Sequence, residues 1–566
     1  MLLKRINIEN FRGFKSIQLD LDQTTVLIGE NNCGKTSLLE AVRLCLSRSF
    51  SRRAIPFEDQ DYHLPSATAR PGDAGPLQIS LQFAENTPGE WVPDLVQALA
   101  DSLVFDQQGR YQLTLEVSST FDSSIKDFVS DWNFLDASGK AMPRAKRPAI
   151  LGALQNLFNV YYLTALRDAA RDFSPKSTFW GPFLRNPSIP DQMKAQLEQE
   201  LAGLNSKILN ADQRLKSVSA NLGKAQEVVT LGQVDTVSID ALPSQIWDLL
   251  SRAQVNVAAV TGASLPLLKH GAGTQSLASI FLFEAFLAAG LGKVDPLASS
   301  LLQIEEPEAH LHPSAIRALW PTLASTPGQK IIATHSGDLL SEVPLEAIRR
   351  LRRTQTGVEV LSLQLNALTP EEIRKVKFHV RRSRGELFFA RVWLLYEGET
   401  DYWLLSEAAR IAGLSLEQKG VRLVEYAHVG LGAMLKLADQ FGVNWHCLFD
   451  GDPAGVTNAG QAAALLHGRP QAAHMSTVPA KDIEHFVCAQ GFGKFYEQNI
   501  ATQKAAQITA KPGDANYWSQ VLDAQSKGFK VPCMLKVVDE IERTGATSIP
   551  PFILGILNAA IALGTV

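Results

Sequence analysis

A chain of 566 residues is too long for a single hydrophobic core and points to several domains. Hydrophobic residues at 45% and charged residues at 20% are ordinary globular proportions, which excludes a largely disordered, collagen-like or coiled-coil protein. Lys and Arg number 54 against 58 Asp and Glu, so the net charge of −4 gives no global basic field, and any surface for nucleic acid must be local.

Apolar residues alternate at Ile6 and Ile8, then at Ile17, Leu19 and Leu21, which predicts two strands joined by a turn at Arg12-Gly13-Phe14. Thr25 to Ile28 reads as a third strand, and an apolar-periodic helix follows from Thr36 to about Ser47. Strand-like runs such as Leu77 to Phe83 complete an α/β lobe. From Gln192 to about Gln226, Met193, Leu197, Leu201, Leu204, Ile208, Leu215, Val218 and Leu222 recur at three- and four-residue spacing. That is the pattern of a long amphipathic helix or a helical hairpin.

Strands and helices alternate again from about Val255 to Leu363. Between Arg349 and Arg384, ten Lys and Arg stand against three acids, as a solvated helix face, a linker or a surface that tracks phosphates. A further α/β segment runs from Ala390 onward. The apolar stretch from Ile549 to Val566 opens with Pro550 and Pro551 and carries Asn558, which reads as a buried helix rather than a membrane anchor. The five cysteines (Cys33, Cys45, Cys447, Cys488, Cys533) contain no CxxC pair, and the first residues alternate polar and apolar where a secretion signal needs an apolar run. A cytoplasmic location is expected.

Gly29-Glu30-Asn31-Asn32-Cys33-Gly34-Lys35-Thr36 satisfies GxxxxGK[ST] between an apolar strand and a helix. Glycines let the backbone wrap an anion, N–H groups at the helix N-terminus point inward, Lys35 brings charge to the outer phosphates, and Thr36 ligates magnesium. The nucleotide-binding set is therefore Gly29, Asn31, Asn32, Gly34, Lys35, Thr36 and Ser37. The partner motif is an apolar strand ending in acids, and Leu301 to Ile304 followed by Glu305 and Glu306 supplies it, with Glu305 near magnesium and Glu306 as general base. Ile331-Ile332-Ala333-Thr334-His335-Ser336 places His335 where it could reach a γ-phosphate. Gly271, Gly273, Thr274, Gln275 and Ser276 head an apolar helix from Leu277 to Leu291, a second glycine-rich N-terminus suited to phosphate.

In this order the motifs resemble the ABC-type ATPases of the SMC and recombination-protein class. The resemblance implies Walker A at Gly29 to Thr36, a signature-like Gly271 to Ser276, Walker B at Glu305 and Glu306, and a switch histidine at His335. It also implies that Gly271, Gly273 and Gln275 complete the nucleotide site of a second subunit. Glu305 stands where that class usually has Asp, and the usual Ser-Gly-Gly run of the signature is missing.

A second constellation lies downstream. Ala390 to Tyr396 is a strand that delivers Glu397-Gly398-Glu399-Thr400-Asp401, with a helix expected from Tyr402, and Trp445 to Phe449 delivers Asp450-Gly451-Asp452. Strand ends in parallel sheets lie side by side, so these carboxylates are expected to share a crevice with magnesium or manganese, the setting of two-metal phosphodiester cleavage. The Glu-Gly-x-x-Asp and Asp-x-Asp patterns resemble a TOPRIM domain, which implies metal-binding roles for Glu397, Asp401, Asp450 and Asp452.

An ATPase followed by TOPRIM resembles the OLD (overcoming lysogenization defect) family of ATP-dependent endonucleases over almost the whole chain. Supporting stretches are Tyr162 to Asp168, Glu305-Glu306-Pro307-Glu308 and Asp482 to Phe486. The resemblance implies an α/β fold with an ABC-type (SMC-like) ATPase in 1–165 and 251–370, a helical dimerisation insertion in 166–250, a basic linker in 371–389 and a TOPRIM nuclease domain in 390–566. It implies a further metal ligand at Glu484 and a catalytic lysine at Lys530, with Lys527 and Lys536 as rivals, beside the catalytic Glu306, His335 and Glu397. ATP and Mg²⁺, or Mn²⁺ at the nuclease site, are the implied cofactors. The implied partners are DNA, a second copy in a homodimer or higher homo-oligomer, and in some members a helicase-like or other defence protein, with no membrane. The activity implied is ATP-regulated DNA cleavage in phage defence or DNA repair. An ATP-driven DNA-binding clamp without nuclease activity is the alternative, and an RNA substrate stays open.

Overall fold

A computed structural model describes residues 1–46, 57–66, 68–143, 147–164, 189–223, 241–243, 245–250, 255–258, 264–290, 295–364, 366–383 and 385–565. Of the sequence readings, Ser47, Ala165 to Asp168, the end of the helical insertion at 224–226, Leu291, Arg384 and Val566 lie outside them.

β1 (Leu2–Phe11) and β2 (Phe14–Asp20) form the expected hairpin, from Arg5 opposite Asp20 to Phe11 opposite Phe14. β3 (Thr24–Gly29) enters a different sheet and is almost wholly buried, as a central parallel strand must be, and α1 (Lys35–Leu46) follows it. β4 (Leu77–Ala84), β5 (Val104–Phe105), β6 (Tyr111–Asp122) and β7 (Asp127–Leu135) return to the first sheet, ordered β2-β1-β4-β6-β5 with β7 also paired to β6. Alternation in β4 and in β1 from Ile6 onward, with a β-bulge between Leu3 and Arg5, puts Leu3, Ile6, Ile8, Leu81 and Phe83 on one face, in a core shared with Leu38 and Val42 of α1.

β8 (Phe158–Leu163) leads toward α2 (Asp191–Ala211) and α3 (Gln213–Gly223). Between these helices Asp212 is extended at φ −109°, and its carboxylate accepts the Arg214 N–H, so one helix stops and the next is capped. No residue of α2 is buried, and Met193, Leu204 and Val218 are each 49% exposed. β9 (Asn256–Ala258) and β10 (Ser264–Pro266) make a short ribbon ahead of α4 (Ala272–Ala288). Then come β11 (Ser299–Glu305), α5 (Pro313–Ser325), β12 (Gln329–Ala333), β13 (Ile348–Thr354) and β14 (Gly357–Leu361). The second sheet runs β14-β13-β3-β12-β11-β8, parallel throughout except for its edge strand β14.

The stretch expected as a basic linker is a packed helix, α6 (Pro370–Arg382), because Thr369 and Glu372 form a capping box and Val376 and Val380 are buried. β15 (Val392–Tyr396), α7 (Glu399–Ile411), β16 (Val421–Glu425), α8 (Leu431–Gln440), β17 (Asn444–Phe449), α9 (Pro453–Ala464) and β18 (Met475–Thr477) build a parallel sheet ordered β16-β15-β17-β18. α7 begins one turn before the expected Tyr402, since the Asp401 carboxylate accepts N–H groups of Glu397 and Gly398. α10 (Ile483–Val487), α11 (Lys530–Thr544) and α12 (Pro551–Gly564) complete the fold. α12 buries Ile553, Ile556, Leu557 and Ala560, and no helix among the described residues is long and apolar enough to cross a membrane.

A single core passes through both lobes, from Val26, Ile28 and Ile332 to Phe388, Trp393, Leu395, Trp445 and Phe449. Arg350, 3% exposed, donates from β13 to the carbonyls of Ala390 and Phe441, both at 2.7 Å. Arg391, just before β15, pairs with Glu30 of the glycine-rich loop at 2.9 Å.

Candidate functional site

The end of β3 makes the first site. A Cβ on Gly29 would lie 2.4 Å from the Leu351 carbonyl oxygen, and one on Gly34 would lie 2.4 Å from the Phe14 ring, so neither position admits a side chain. Asn31 and Asn32 form the exposed crest of the loop, and Thr36 and Ser37 lie in the first turn of α1, whose N–H groups have no helical partner. Lys35 donates to the carbonyls of Gly29 at 2.8 Å and Glu30 at 3.0 Å. Burial lowers its pKa, opposed by Cys33, Glu306 and Glu305.

β12 lies between β3 and β11, which brings the remaining expected residues to the same edge. Glu305 closes β11 and holds the Tyr162 hydroxyl, whose pKa is pushed up by burial and then by the Glu305 charge. Glu306 sits in the left-handed region at φ +41°, strained for a non-glycine residue. His335 has a lowered pKa from partial burial and from Lys35, with Glu306 opposing, so all three charges lie within electrostatic reach. Glu308 is a residue that sequence reasoning gave no role. Its Oε1 accepts from Thr334 Oγ1 at 2.7 Å and from the His335 N–H at 2.8 Å, which fixes the loop that carries the histidine. Gly271, Gly273 and Gln275 head α4 elsewhere. A Cβ on Gly273 would lie 2.6 Å from the His310 carbonyl, and Gln275 donates to the His270 carbonyl at 2.8 Å. None of the contacts described for these three reaches Gly29 to Ser37.

The second site lies where the chain leaves β15 for β16 on one side and β17 on the other, the switch point of a parallel sheet. Glu397 follows β15 and Asp450 follows β17, on strands paired with Leu395 opposite Cys447. Tyr426, past the end of β16, donates to Glu397 Oε2 at 3.2 Å. Glu484, 2% exposed, accepts from Thr400 Oγ1 and from Lys530 Nζ, both at 3.2 Å. Asp482 caps α10 through the His485 N–H, and burial, which raises its pKa, is outweighed by His485 and Lys530. Asp452 caps α9, its Oδ1 accepting the Gly455 N–H at 2.7 Å. Lys530, at the start of α11, has a raised pKa because Glu484, Asp482 and Asp450 outweigh burial. Of its two rivals, Lys536 lies beside Cys533, and no contact of Lys527 with these carboxylates is described.

The donor set fits hard divalent cations. Burial, then the charges of Asp401, Glu397, Asp482 and Glu484, raises Asp450 to about 8. Asp401 is pushed up to about 7 by burial and by Glu484 and Glu397, against hydrogen bonds from Gly398 and Glu397. Crowded acids of this kind are relieved by a cation. Among the described residues no three His, Cys, Asp or Glu side chains form a finished cage, so binding would require the carboxylates to swing inward.

These raised values set a pH dependence. The fold retains protons that the unfolded chain releases near pH 4, so without metal its stability falls as pH rises from about 4 toward about 8. Mn²⁺ must displace those protons, so its affinity is expected to rise through the upper part of this window by up to about tenfold per pH unit for each proton released. Calorimetry in buffers of different ionisation enthalpy measures both quantities; affinity that stays flat from about pH 6 to about pH 8.5 would exclude Asp401 and Asp450 as ligands.

Gly451 supplies a second test. A Cβ there would lie 2.2 Å from the Ala480 carbonyl oxygen and 3.2 Å from the Val478 carbonyl oxygen. Gly451→Ala is expected to cost on the order of 3 kcal/mol, visible in the denaturant midpoint, and to displace the carboxylates on either side. An unshifted midpoint would contradict this packing.

A family model described as protein of unknown function (DUF2813) matches residues 1–386, and a second, described as the overcoming lysogenization defect protein-like TOPRIM domain, matches residues 388–452. The uncharacterized protein YbjD of Escherichia coli (strain K12) is 30% identical over 565 residues, covering 97% of each chain. The OLD nuclease of Thermus scotoductus is 26% identical over 450 residues, covering 73% of this chain and 74% of its own. Endonuclease GajA of Bacillus cereus is 23% identical over 445 residues, covering 75% and 70%.

Proposed function

Because this chain belongs to the DUF2813 family and carries an OLD-like TOPRIM domain behind that region, we propose that it is an ATP-regulated, divalent-metal-dependent DNA endonuclease. The observation that carries this reading is the gathering of Glu397, Asp401, Asp450, Glu484 and Lys530 at one sheet edge.

Glu397, Asp401, Asp450, Asp452 and Glu484 would hold the metals. Bound Mg²⁺ or Mn²⁺ would supply Lewis acidity and an activated water for phosphodiester hydrolysis. The chain's own residues orient this set. Tyr426 fixes the Glu397 carboxylate, and Thr400 fixes Glu484. Lys530 places positive charge beside the acids, where it would offset charge building on the phosphate or leaving oxygen. At the other site Lys35, with the first turn of α1, would receive the phosphates of ATP, Thr36 and Glu305 its magnesium, Glu306 would polarise the attacking water, and His335 would sense the γ-phosphate.

The exposed apolar stripe of α2 and α3 supports a homodimer, in which Gly271, Gly273 and Gln275 would serve the partner's nucleotide. A cytoplasmic role in phage defence or DNA repair fits a nuclease held under nucleotide control. A second reading, an ATP-driven clamp without cleavage, draws on the unfinished cage around the carboxylates. Incubating purified protein with supercoiled plasmid across Mg²⁺, Mn²⁺ and ATP separates them: metal-dependent nicking supports the nuclease, and ATP-dependent retention of intact plasmid supports the clamp.

A further inference from the structure

The basic stretch between Arg349 and Arg384 divides into two groups. On β13, Arg349 is tied to Asp22 at 2.6 Å, Arg350 to the carbonyls of Ala390 and Phe441, and Arg352 to Glu359. Arg349 and Arg350 are part of the packing, Arg352 is half-buried in its ion pair, and Arg353 is exposed. On α6 the picture reverses. Val376 and Val380 anchor one face, while Arg374, Lys377, Phe378 and Arg381 recur at three- and four-residue spacing on the other. Phe378 is 68% exposed amid these cations.

We propose that this outer face of α6 binds a single nucleic-acid strand and leads it to the carboxylate crevice. The inference rests on the nuclease reading and names the surface by which the substrate arrives. A groove of about 520 Å³ runs beside the face, lined by Pro344, Ile373, Arg374, Lys377, Phe378 and Arg381. Its ion pairs are loose and exposed, Lys377 with Glu346 at 3.4 Å and Arg381 with Glu342 at 3.7 Å, so phosphates can replace the carboxylates at little cost. Arg374 and Arg382 have no ion pair among the described residues.

From Arg374 to Arg382 the helix rises about 12 Å, so its cations span more than one backbone phosphate of a single strand. The track also points the right way. α6 ends at Arg382, ten positions before β15, the strand that delivers Glu397. His379, one turn back, lies within reach of His428, which follows β16. An unpaired base can stack on Phe378, whereas an acidic peptide would use the cations and leave the ring in water.

The test is fluorescence anisotropy with a labelled single-stranded oligonucleotide and its duplex, in Ca²⁺ so that binding is read without cleavage. The triple variant Arg374→Gln/Arg381→Gln/Arg382→Gln is expected to weaken single-strand binding at least about tenfold and to lower the slope of log affinity on log salt by about 2. Phe378→Ala is expected to weaken the single strand about fivefold or more with the duplex unchanged. Should the triple variant melt early, Arg374→Gln and Phe378→Ala, both fully surface changes, carry the test alone. Wild-type affinity and salt slope in folded variants would overturn the proposal, as would an acidic peptide that binds this face while the oligonucleotide does not. Nicking by wild-type protein with variant binding unimpaired sinks the track and leaves the nuclease standing. Binding lost in the variants with no cleavage by wild type under any metal does the opposite.

Discussion

Plasmid nicking by the Glu397→Ala variant is expected to fall by at least about a thousandfold, with ATP turnover kept. The carboxylate sits where two adjacent strands end, and its charge is one of those that raise Asp450 and Asp401. Without it the crevice loses a hard oxygen donor; the like-charge crowding on Asp450 eases, while the buried Tyr426 hydroxyl loses its acceptor, so the two effects on stability oppose each other and nicking is the readout. Glu397→Gln separates charge from shape, because the amide oxygen still accepts from Tyr426. Loss of nicking in both variants assigns the effect to the negative charge. Cleavage retained in Glu397→Ala would remove Glu397 from the site, and cleavage retained in Glu397→Gln alone would assign the role to the side-chain oxygen rather than to its charge.

Lys35→Ala is expected to reduce ATP hydrolysis by at least about a hundredfold. Its ammonium rests on the Gly29 and Glu30 carbonyls and shares its surroundings with Glu305, Glu306 and His335. Removing it strips positive charge from a pocket that already holds two acids, so a polyphosphate would meet uncompensated repulsion. The lost hydrogen bonds could also loosen the loop. Lys35→Arg controls for that, since it keeps a charged donor but its planar fork cannot reproduce the compact ammonium. An ATPase rate unchanged in Lys35→Ala would contradict the nucleotide site. The same variant reports whether nucleotide licenses or restrains nicking, since its plasmid cleavage would fall in the first case and rise in the second.

Much of this was legible in sequence because the informative groups are local. A glycine-rich loop between strand and helix, and acids placed directly after apolar runs, need only a few consecutive residues to be recognised. Strand ends in parallel sheets then do the gathering, which is how Glu397 and Asp450 meet across 53 positions of chain. What escaped are groups defined by distant partners. Tyr426 matters through Glu397, Thr400 through Glu484, Tyr162 through Glu305, and Glu308 through a loop 26 residues on. Tyr162, Glu308 and Thr400 lie inside stretches that stand out in the sequence, yet nothing local gives any of the four its role. Charge counting failed in a similar way: it could not separate Arg350, sunk in the core, from Arg374, which stands in water two dozen residues later. Burial decides that difference, and burial is a property of the whole fold.

The shared interior that joins β3 to Trp393 and Trp445 has a consequence for how such a gene can change. A recombination event that severed the reading frame ahead of Ala390 would leave the upstream fragment with a raw oily wall, and would leave the Arg350 guanidinium without either of its carbonyl acceptors. Either half moved alone into another chain would need a new cover for that wall and new acceptors for that guanidinium.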